Sequence, residues 1–497
     1  MNKSYWTETT KRPQFKKLEE DIDIDVCIIG AGITGISTAY MLNGQNLNIC
    51  IIDKGEICSG VTENTTAKIT SQHGLIYKYL METFGEEYAR KYFQSNEEAI
   101  KGIKEIIKKE NIACDFEKTE NYVYTCKEEY IQTIKDEVET IRMIGGNAEF
   151  IENTSLPFKI EAGIKLENQA KFHPLKYLYG LIKVLEKNNI SVFTNSRVIE
   201  MKKNNGMYNI KTEEGKTITA KYVVMATHYP IKNFPGMHFL KMYQDRSYAI
   251  AIKPNGKFPK EMYISAESPV ASFRAINDEL LIIGGAEHKT GENNIDLDIS
   301  YKQLETYAKE IYPEAEIEYQ WATQDCVSID KVPYIGEFSN LMPNLYIATG
   351  YKKWGMTTSY VAAKIISDRI LKKKNEYENI YKATRFAPIG NYKEFGNMLK
   401  QTIYSLGINK IKIPETEFED IEKNSGGVVE YKGKKIGVYK DESGKLFIVE
   451  PYCAHLGCEL SWNNLEKTWD CPCHGSRYTY EGKVITEPTV KDLKKIE

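Results

Sequence analysis

The chain alternates between two hydrophobic patterns. IDVCIIG (24–30) is a continuous apolar run of the kind that forms a strand buried on both faces. A glycine turn follows, then apolar residues at helical spacing from about Thr34 to Leu42, then a second short apolar run, NICIID, ending at Asp53. This order opens a βαβ unit. Helical period returns at about 86–110, 127–144 and 173–187, the last followed by the strand SVFTN. KYVVMAT (221–227) and NLYIAT are further buried strands, and 246–253 and 261–286 alternate as half-buried strands do. A last helix is expected from about Thr357 to Lys373, and 372–412 is charged and irregular. From Pro414 the pattern changes to short strands with Gly turns, GGVVEYKGKKIGVYKDESGKLFIV, and predicts an all-β region.

A chain of 497 residues is long enough for two or three domains. Its 66 Lys+Arg against 69 Asp+Glu give a net charge of -3, which argues against a nucleic-acid partner. MNKSYWTETTKRPQF lacks the apolar core of a signal peptide, and no run of 18 apolar residues suggests a membrane helix. Of the 10 cysteines, Cys27, Cys50, Cys58, Cys114, Cys126 and Cys326 are scattered and read as ordinary thiols. The other four lie between Cys453 and Cys473. A cytoplasmic protein with one local metal site fits that distribution.

Those four belong to CAHLGC (453–458) and CPCHGS (471–476), each with one Cys and one His ligand in C-x-H or C-x-x-H spacing. Cys453, His455, Cys471 and His474 suit a two-iron cluster with thiolates on one iron and imidazoles on the other. Two Cys and two His also make a closed zinc site, though zinc fingers usually keep the Cys pair in a hairpin and the His pair in a helix. Residues 414–497, with Pro472, Gly475 and the later VITEPTVKDL, closely resemble the Rieske [2Fe–2S] family. The resemblance favours the cluster and implies a disulfide between Cys458 and Cys473, which sit at matching places beside the ligands. Ser476 and Tyr478 lie just beyond the second loop, where hydroxyls donate to sulfur and raise the potential. The upper part of the Rieske range, roughly −150 to +300 mV, is expected.

Gly30-Ala-Gly32-Ile-Thr-Gly35 stands between the first strand and its helix, with Asp53 at the end of the second strand. Glycines at these places let a pyrophosphate approach the helix N-terminus, and the acid can bind ribose hydroxyls. Glycine spacing alone does not separate FAD from NAD. CSGVTENTTAKITSQHG (58–74), ATHYP (226–230) and ATGYKKWGMT (348–357) together resemble the FAD-dependent D-amino acid oxidase and glycine oxidase superfamily, over about residues 20–372. The resemblance implies FAD near Lys54, Thr62, Thr65, Thr66 and Lys68. It puts Val198 at the adenine, and Gly350, Trp354, Gly355 and Met356 along the isoalloxazine. It also implies that Arg274, in ASFRAINDELLIIGGAEH, pairs with a substrate carboxylate. His73, just after the threonine-rich loop, is expected to face the flavin. Arg246, Tyr248, His228 and His288 are further substrate-side residues.

The expected architecture is an α/β FAD-binding Rossmann-type domain with a β-rich substrate domain (α+β), followed by a C-terminal all-β Rieske domain. The flavin unit spans 20–372, with FAD-binding parts at about 24–75, 170–230 and 325–372, and substrate parts at about 76–169 and 231–324. A linker is expected at 373–412 and the Rieske domain at 413–497. Three functions follow. The first is a dehydrogenase oxidising an amine or amino acid and passing electrons through the cluster to an external protein or quinone. The second is a reductase fed through the cluster by an external donor. The third is a redox sensor or carrier without a small substrate. An open pocket lined by Arg274 would favour the first, and a pocket plugged by side chains the third.

Overall fold

The computed structural model describes residues 3–292, 298–385 and 418–496, together with Gly396 and Lys400. Its first sheet has parallel strands Ile22–Ile29, Ile49–Ile52, Ser191–Phe193, Thr217–Met225 and Leu345–Thr349. Tyr334–Glu337 runs antiparallel at one edge, and the hairpin of Val198–Asn204 and Met207–Thr212 pairs with Thr217–Met225. Successive residues of a strand point to opposite faces. Val26, Ile28 and Ile51 therefore join the core under the helices, while Cys27, Ile29, Cys50 and Ile52 join the core on the other face. Burial on both faces explains the unbroken apolar runs of the sequence. Helices Ile33–Leu42, Pro174–Lys187 and Gly355–Ile370 pack together over the first core.

The second sheet is mainly antiparallel and has 9 strands. Its order begins Glu316–Ser328, Met242–Lys253, Leu281–Lys289, Ala271–Ala275, Met262–Ser265 and continues through Glu117–Thr125 and Ala162–Lys171 to Lys68–Ile69. Helices Glu86–Lys109 and Ile131–Met143 match the expected helical segments. Helix Asp298–Ile311, helix Tyr77–Phe84 and the long strand Glu316–Ser328 were not legible beforehand.

Two small antiparallel sheets build the C-terminal part, Ser425–Tyr431, Lys434–Lys440, Leu446–Val449 and Ser461–Asn463, Thr468–Asp470, Arg477–Thr479, Val484–Thr486. Trp469, fully buried, fills the space between them, 4.8 Å from the Trp462 ring. Within the segment expected to join the domains, residues 373–385 pack on the flavin unit. Tyr381 Oη lies 2.8 Å from Ser95 Oγ, and Arg385 Nε donates to Asp330 at 2.7 Å. The rest of that segment lies outside the described residues, Gly396 and Lys400 apart. Among the described residues no helix is long and apolar enough to cross a membrane.

Candidate active site

The turn after Ile22–Ile29 is shaped for close approach. Gly30 adopts φ +109°, and a Cβ there would strike the Ala226 carbonyl oxygen. A Cβ on Gly35 would strike the Gly30 carbonyl oxygen, so Gly35 packs the helix against its strand from beneath. Asp53 is half-buried at the end of the second strand. Its carboxylate accepts from Ala31 N at 2.6 Å and Gly55 N at 2.9 Å. Desolvation nevertheless holds its pKa above the usual carboxylate range, so it is a weaker acid than a free aspartate. Thr62 Oγ1 accepts from Ile33 N at 3.2 Å, fastening the threonine loop to the helix N-terminus.

These elements open into one cavity of ≈ 780 Å³. Gly30, Gly32, Asp53, Lys54, Thr62, Thr65, Thr66, Lys68, His73, Val198, Gly350, Trp354, Gly355 and Met356 all line it. Gly355 and Met356 begin the helix Gly355–Ile370, whose N-terminal amides and dipole favour negative charge. A cavity lined by a glycine turn, an acid and a helix N-terminus fits a dinucleotide.

One expected residue, Arg274, sits otherwise than its assigned role requires. Arg274 is not among the cavity-lining residues. It shares a strand face with Val270 and Ser272, which do line the cavity, but lies one step farther on, where Trp6 covers it at 4.9 Å. Arg274 Nη2 donates to the Phe172 carbonyl at 2.7 Å, and burial pulls the guanidinium down to about 9. Trp6 is held in turn by Thr65, whose carbonyl accepts from its indole at 2.7 Å. His73 lines the cavity but has both ring nitrogens engaged, Nδ1 with Tyr92 Oη at 2.8 Å and Nε2 with the Thr70 carbonyl at 2.9 Å. Its ring stacks on Trp354 at 4.9 Å, and burial pushes it down to about 3, so it stays neutral. Lys68 donates to the Tyr263 carbonyl at 2.7 Å, and burial with the nearby Arg274 brings it down to about 7.

The substrate-side wall carries Arg246, expected there from the sequence, and two carboxylates that the sequence did not single out. Asp245 and Asp325 face one another across antiparallel strands. Burial raises both, Asp245 to about 7, against the pull of Lys353. Lys353 pairs with Glu287. Arg246, only 4% exposed, pairs with Glu466, and its Nε has no hydrogen-bond partner among the described residues.

In the C-terminal part, the hairpin loops 453–458 and 471–476 face each other and are joined by a Cys458–Cys473 disulfide. Cys453 and Cys471 are buried free thiols. The His455 and His474 rings lie 5.0 Å apart at 89°, and all four ring nitrogens lack a hydrogen-bond partner among the described residues. Burial pushes both imidazoles below their usual range, to about 4 and about 3, leaving the neutral form that ligates metal. Two thiols and two unpartnered imidazoles converging in a buried pocket fit a Rieske-type cluster. Tyr478 Oη lies 3.3 Å from Cys453 Sγ and accepts from Ala454 N at 2.9 Å. Burial and Cys453 hold its hydroxyl far above the usual phenol range, so it remains a donor. Tyr478→Phe and Ser476→Ala are each expected to lower the cluster potential without losing the cluster. Donors to sulfur stabilise the more negative reduced form. Voltammetry showing no shift in either variant would remove both hydroxyls from the tuning set.

The cluster part also walls the flavin cavity. Glu466, Arg477 and Val484 to Glu487 line it alongside Gly30 and Asp53. Lys54 Nζ donates to Glu487 at 2.6 Å and to the Ile485 carbonyl at 2.8 Å. Phe239 packs edge-on against both histidine rings, 6.0 Å from His455 and 5.6 Å from His474.

This fold and these two sites define a flavin oxidoreductase with an iron–sulfur centre in the same chain. Comparison with known proteins agrees. Residues 25–369 match the FAD dependent oxidoreductase family, and residues 412–497 match the Rieske [2Fe-2S] domain. The chain belongs to the FAD dependent oxidoreductase family and carries a Rieske domain; it binds FAD and a [2Fe–2S] cluster. It is 37% identical over 497 residues to a Rieske 2Fe-2S iron-sulfur protein, YhfW, of Bacillus subtilis (strain 168), covering 99% of this chain and 97% of that protein. It is 20% identical to gamma-glutamylputrescine oxidoreductase of Escherichia coli (strain K12), over 73% of this chain and 87% of that one. In structure it resembles glycine oxidase from Geobacillus kaustophilus, with a TM-score of 0.63 at 16% identity, over 73% of this chain and 99% of that one.

Proposed function

We propose that this enzyme oxidises a small amine or amino acid at its FAD and passes the electrons singly through the cluster to an external acceptor. The observation that carries this reading is the shared wall: Glu466, Arg477 and residues 484–487 of the Rieske domain line the same cavity as the dinucleotide loop. FAD supplies two-electron chemistry and the cluster one-electron exchange. Cys453, His455, Cys471 and His474 ligate the cluster in this reading. Gly30, Gly32 and Asp53 hold the dinucleotide, Val198 meets the adenine end, and Gly355 and Met356 present amides to the flavin end.

The protein's part is to bind and deprotonate the substrate. Asp245 takes a proton from an incoming ammonium so that the amine is neutral when it reacts. Arg246, not Arg274, offers the carboxylate its guanidinium, because Arg246 lines the cavity and Arg274 lies behind Trp6. The anaerobic enzyme mixed with a panel of amines and amino acids should show flavin bleaching followed by cluster reduction. Bleaching by none of them, with reduction only through the cluster, would establish the reverse direction.

Two variants test the residue roles. With Asp245 near 7, kcat/KM for flavin reduction should rise with pH through about 7, as the carboxylate ionises, and level off above it. Asp245→Asn should abolish that rise, and a retained rise would assign it to another group. Arg246→Met should raise KM for a carboxylate-bearing substrate far more than for a plain amine, whereas Arg274→Met should affect both alike. The opposite pattern would restore Arg274 as the anchor.

A further inference from the structure

Two glutamines stand between the flavin cavity and the cluster. Gln244 lies on strand Met242–Lys253 and Gln324 on the adjacent strand Glu316–Ser328; both line the cavity and both are nearly fully buried, 4% and 3% exposed. Their side chains are bonded to each other, Gln324 Nε2 donating to Gln244 Oε1 at 2.5 Å. Their remaining donors cross the domain boundary. Gln244 Nε2 reaches the His474 carbonyl at 2.6 Å and the Glu487 carbonyl at 3.2 Å, and Gln324 Nε2 reaches the Gly475 carbonyl at 2.8 Å.

The cluster loop is shaped to receive this pair. Gly475 adopts φ +74°, and a Cβ on it would come within 2.7 Å of Gln244 Cβ. On the other side of the loop, a Cβ on Gly291 would meet Pro472 N at 2.6 Å. Loop 471–476 is thus held closely between the Gln244 side chain and the Gly291 backbone of the flavin unit, with His474 itself 1% exposed. Burying two primary amides costs free energy unless their donors are used, and each glutamine uses one donor on the loop that carries His474, while Gln324 Oε1 has no partner among the described residues. A wall needed only for packing would be satisfied by apolar side chains.

We propose that Gln244 and Gln324 are positioning residues for electron transfer, forming the hydrogen-bonded bridge that couples the flavin cavity to the cluster through the His474 loop. The inference rests on the two-centre reading above, but not on the identity of the substrate. Each turnover sends two electrons across this wall, one at a time, and one proton from the reduced flavin to solvent. The cluster accepts one electron per step and is emptied between steps by an external one-electron acceptor. Two effects follow from the geometry. The short hydrogen bond replaces a through-space gap, which speeds tunnelling. The amide donors on the ligand loop favour the reduced, more negative cluster, which raises its potential.

The test uses anaerobic holoprotein in which the flavin is reduced by light and a sacrificial donor, with no amine present. In the wild type the cluster should then bleach at a rate independent of protein concentration. Gln244→Glu keeps the shape but removes the donor, and should slow that step at least about tenfold, equivalent to about 1.4 kcal/mol. It should also lower the cluster midpoint potential in an EPR-monitored titration. Gln324→Glu should act in the same direction and carries the test if Gln244→Glu loses a cofactor. Ser461→Ala removes another hydrogen bond between the two parts, Ser461 Oγ to the Gly291 carbonyl at 3.0 Å, and should change neither readout. Wild-type speed in both glutamine variants, equal slowing by Ser461→Ala, or no intramolecular bleaching in the wild type would overturn the proposal. Failure to find an amine substrate would leave this result unaffected and would count against the dehydrogenase reading alone.

Discussion

Cys471→Ser is expected to yield a protein that retains FAD and has lost its [2Fe–2S] cluster. Cys471 is completely buried, and its thiol lies within hydrogen-bond reach of Cys453. A serine hydroxyl does not ionise at neutral pH and is a poor substitute for a soft thiolate on iron. Its neighbours leave no second thiol to take over, because Cys458 and Cys473 are joined in the disulfide. The C-terminal fold should survive, since Trp469 and Tyr478 remain buried and the disulfide still ties the loops, though cluster binding no longer adds to stability. The measurement is the visible spectrum with iron and sulfide analysis, beside flavin content after denaturation. Full iron in the variant would refute the ligand assignment. Zinc in place of iron in freshly prepared anaerobic wild type would revive the four-coordinate zinc site.

The second large effect is expected from Gly30→Ala, which should release FAD while leaving the cluster in place. At φ +109° an L-residue is strained, a cost of roughly 1–2 kcal/mol before any contact is considered. The added methyl would also meet the Ala226 carbonyl oxygen, part of the backbone that closes the first sheet, so the turn must move. Both effects fall on the segment that a pyrophosphate has to approach most closely. Asp53→Ala should weaken FAD retention less, since it removes the ribose-side acid but leaves the turn. Flavin retention after gel filtration, with the cluster spectrum as internal control, distinguishes the three outcomes. Gly30→Ala protein with full flavin would mean that the dinucleotide does not pass this turn.

Local pattern was sufficient for much of this. A buried apolar run, a glycine turn and an acid at the end of the next run specify a dinucleotide-binding βαβ unit. The constraint is local: helix N-terminus, glycine and phosphate meet within about one turn of chain. The same holds for the cluster, whose four donors and two flanking cysteines come from two loops only 21 residues apart at their extremes. The Gly-punctuated strands after Pro414 predicted an all-β domain because hairpins are also local.

What the sequence could not decide was which face of a strand meets which distant segment. Arg274 has the strand parity of the cavity-lining Ser272, and pattern alone permits it to line the pocket. Only tertiary packing brings Trp6, from the far end of the chain, over its guanidinium and closes it off. Asp245 and Asp325 gain their chemistry from pairing between strands that are distant in sequence, which has no periodic signature. The Gln244–Gln324 bridge needs three segments, at 244, 324 and 474–475, to converge. Residues 484–487, legible as a strand beside a turn, become part of a flavin cavity only because Lys54 and the loop of the first domain dock against them. Short-range geometry follows from residue type and spacing. The wall between the two redox centres follows from long-range packing, and it exists only once the two domains are folded against each other.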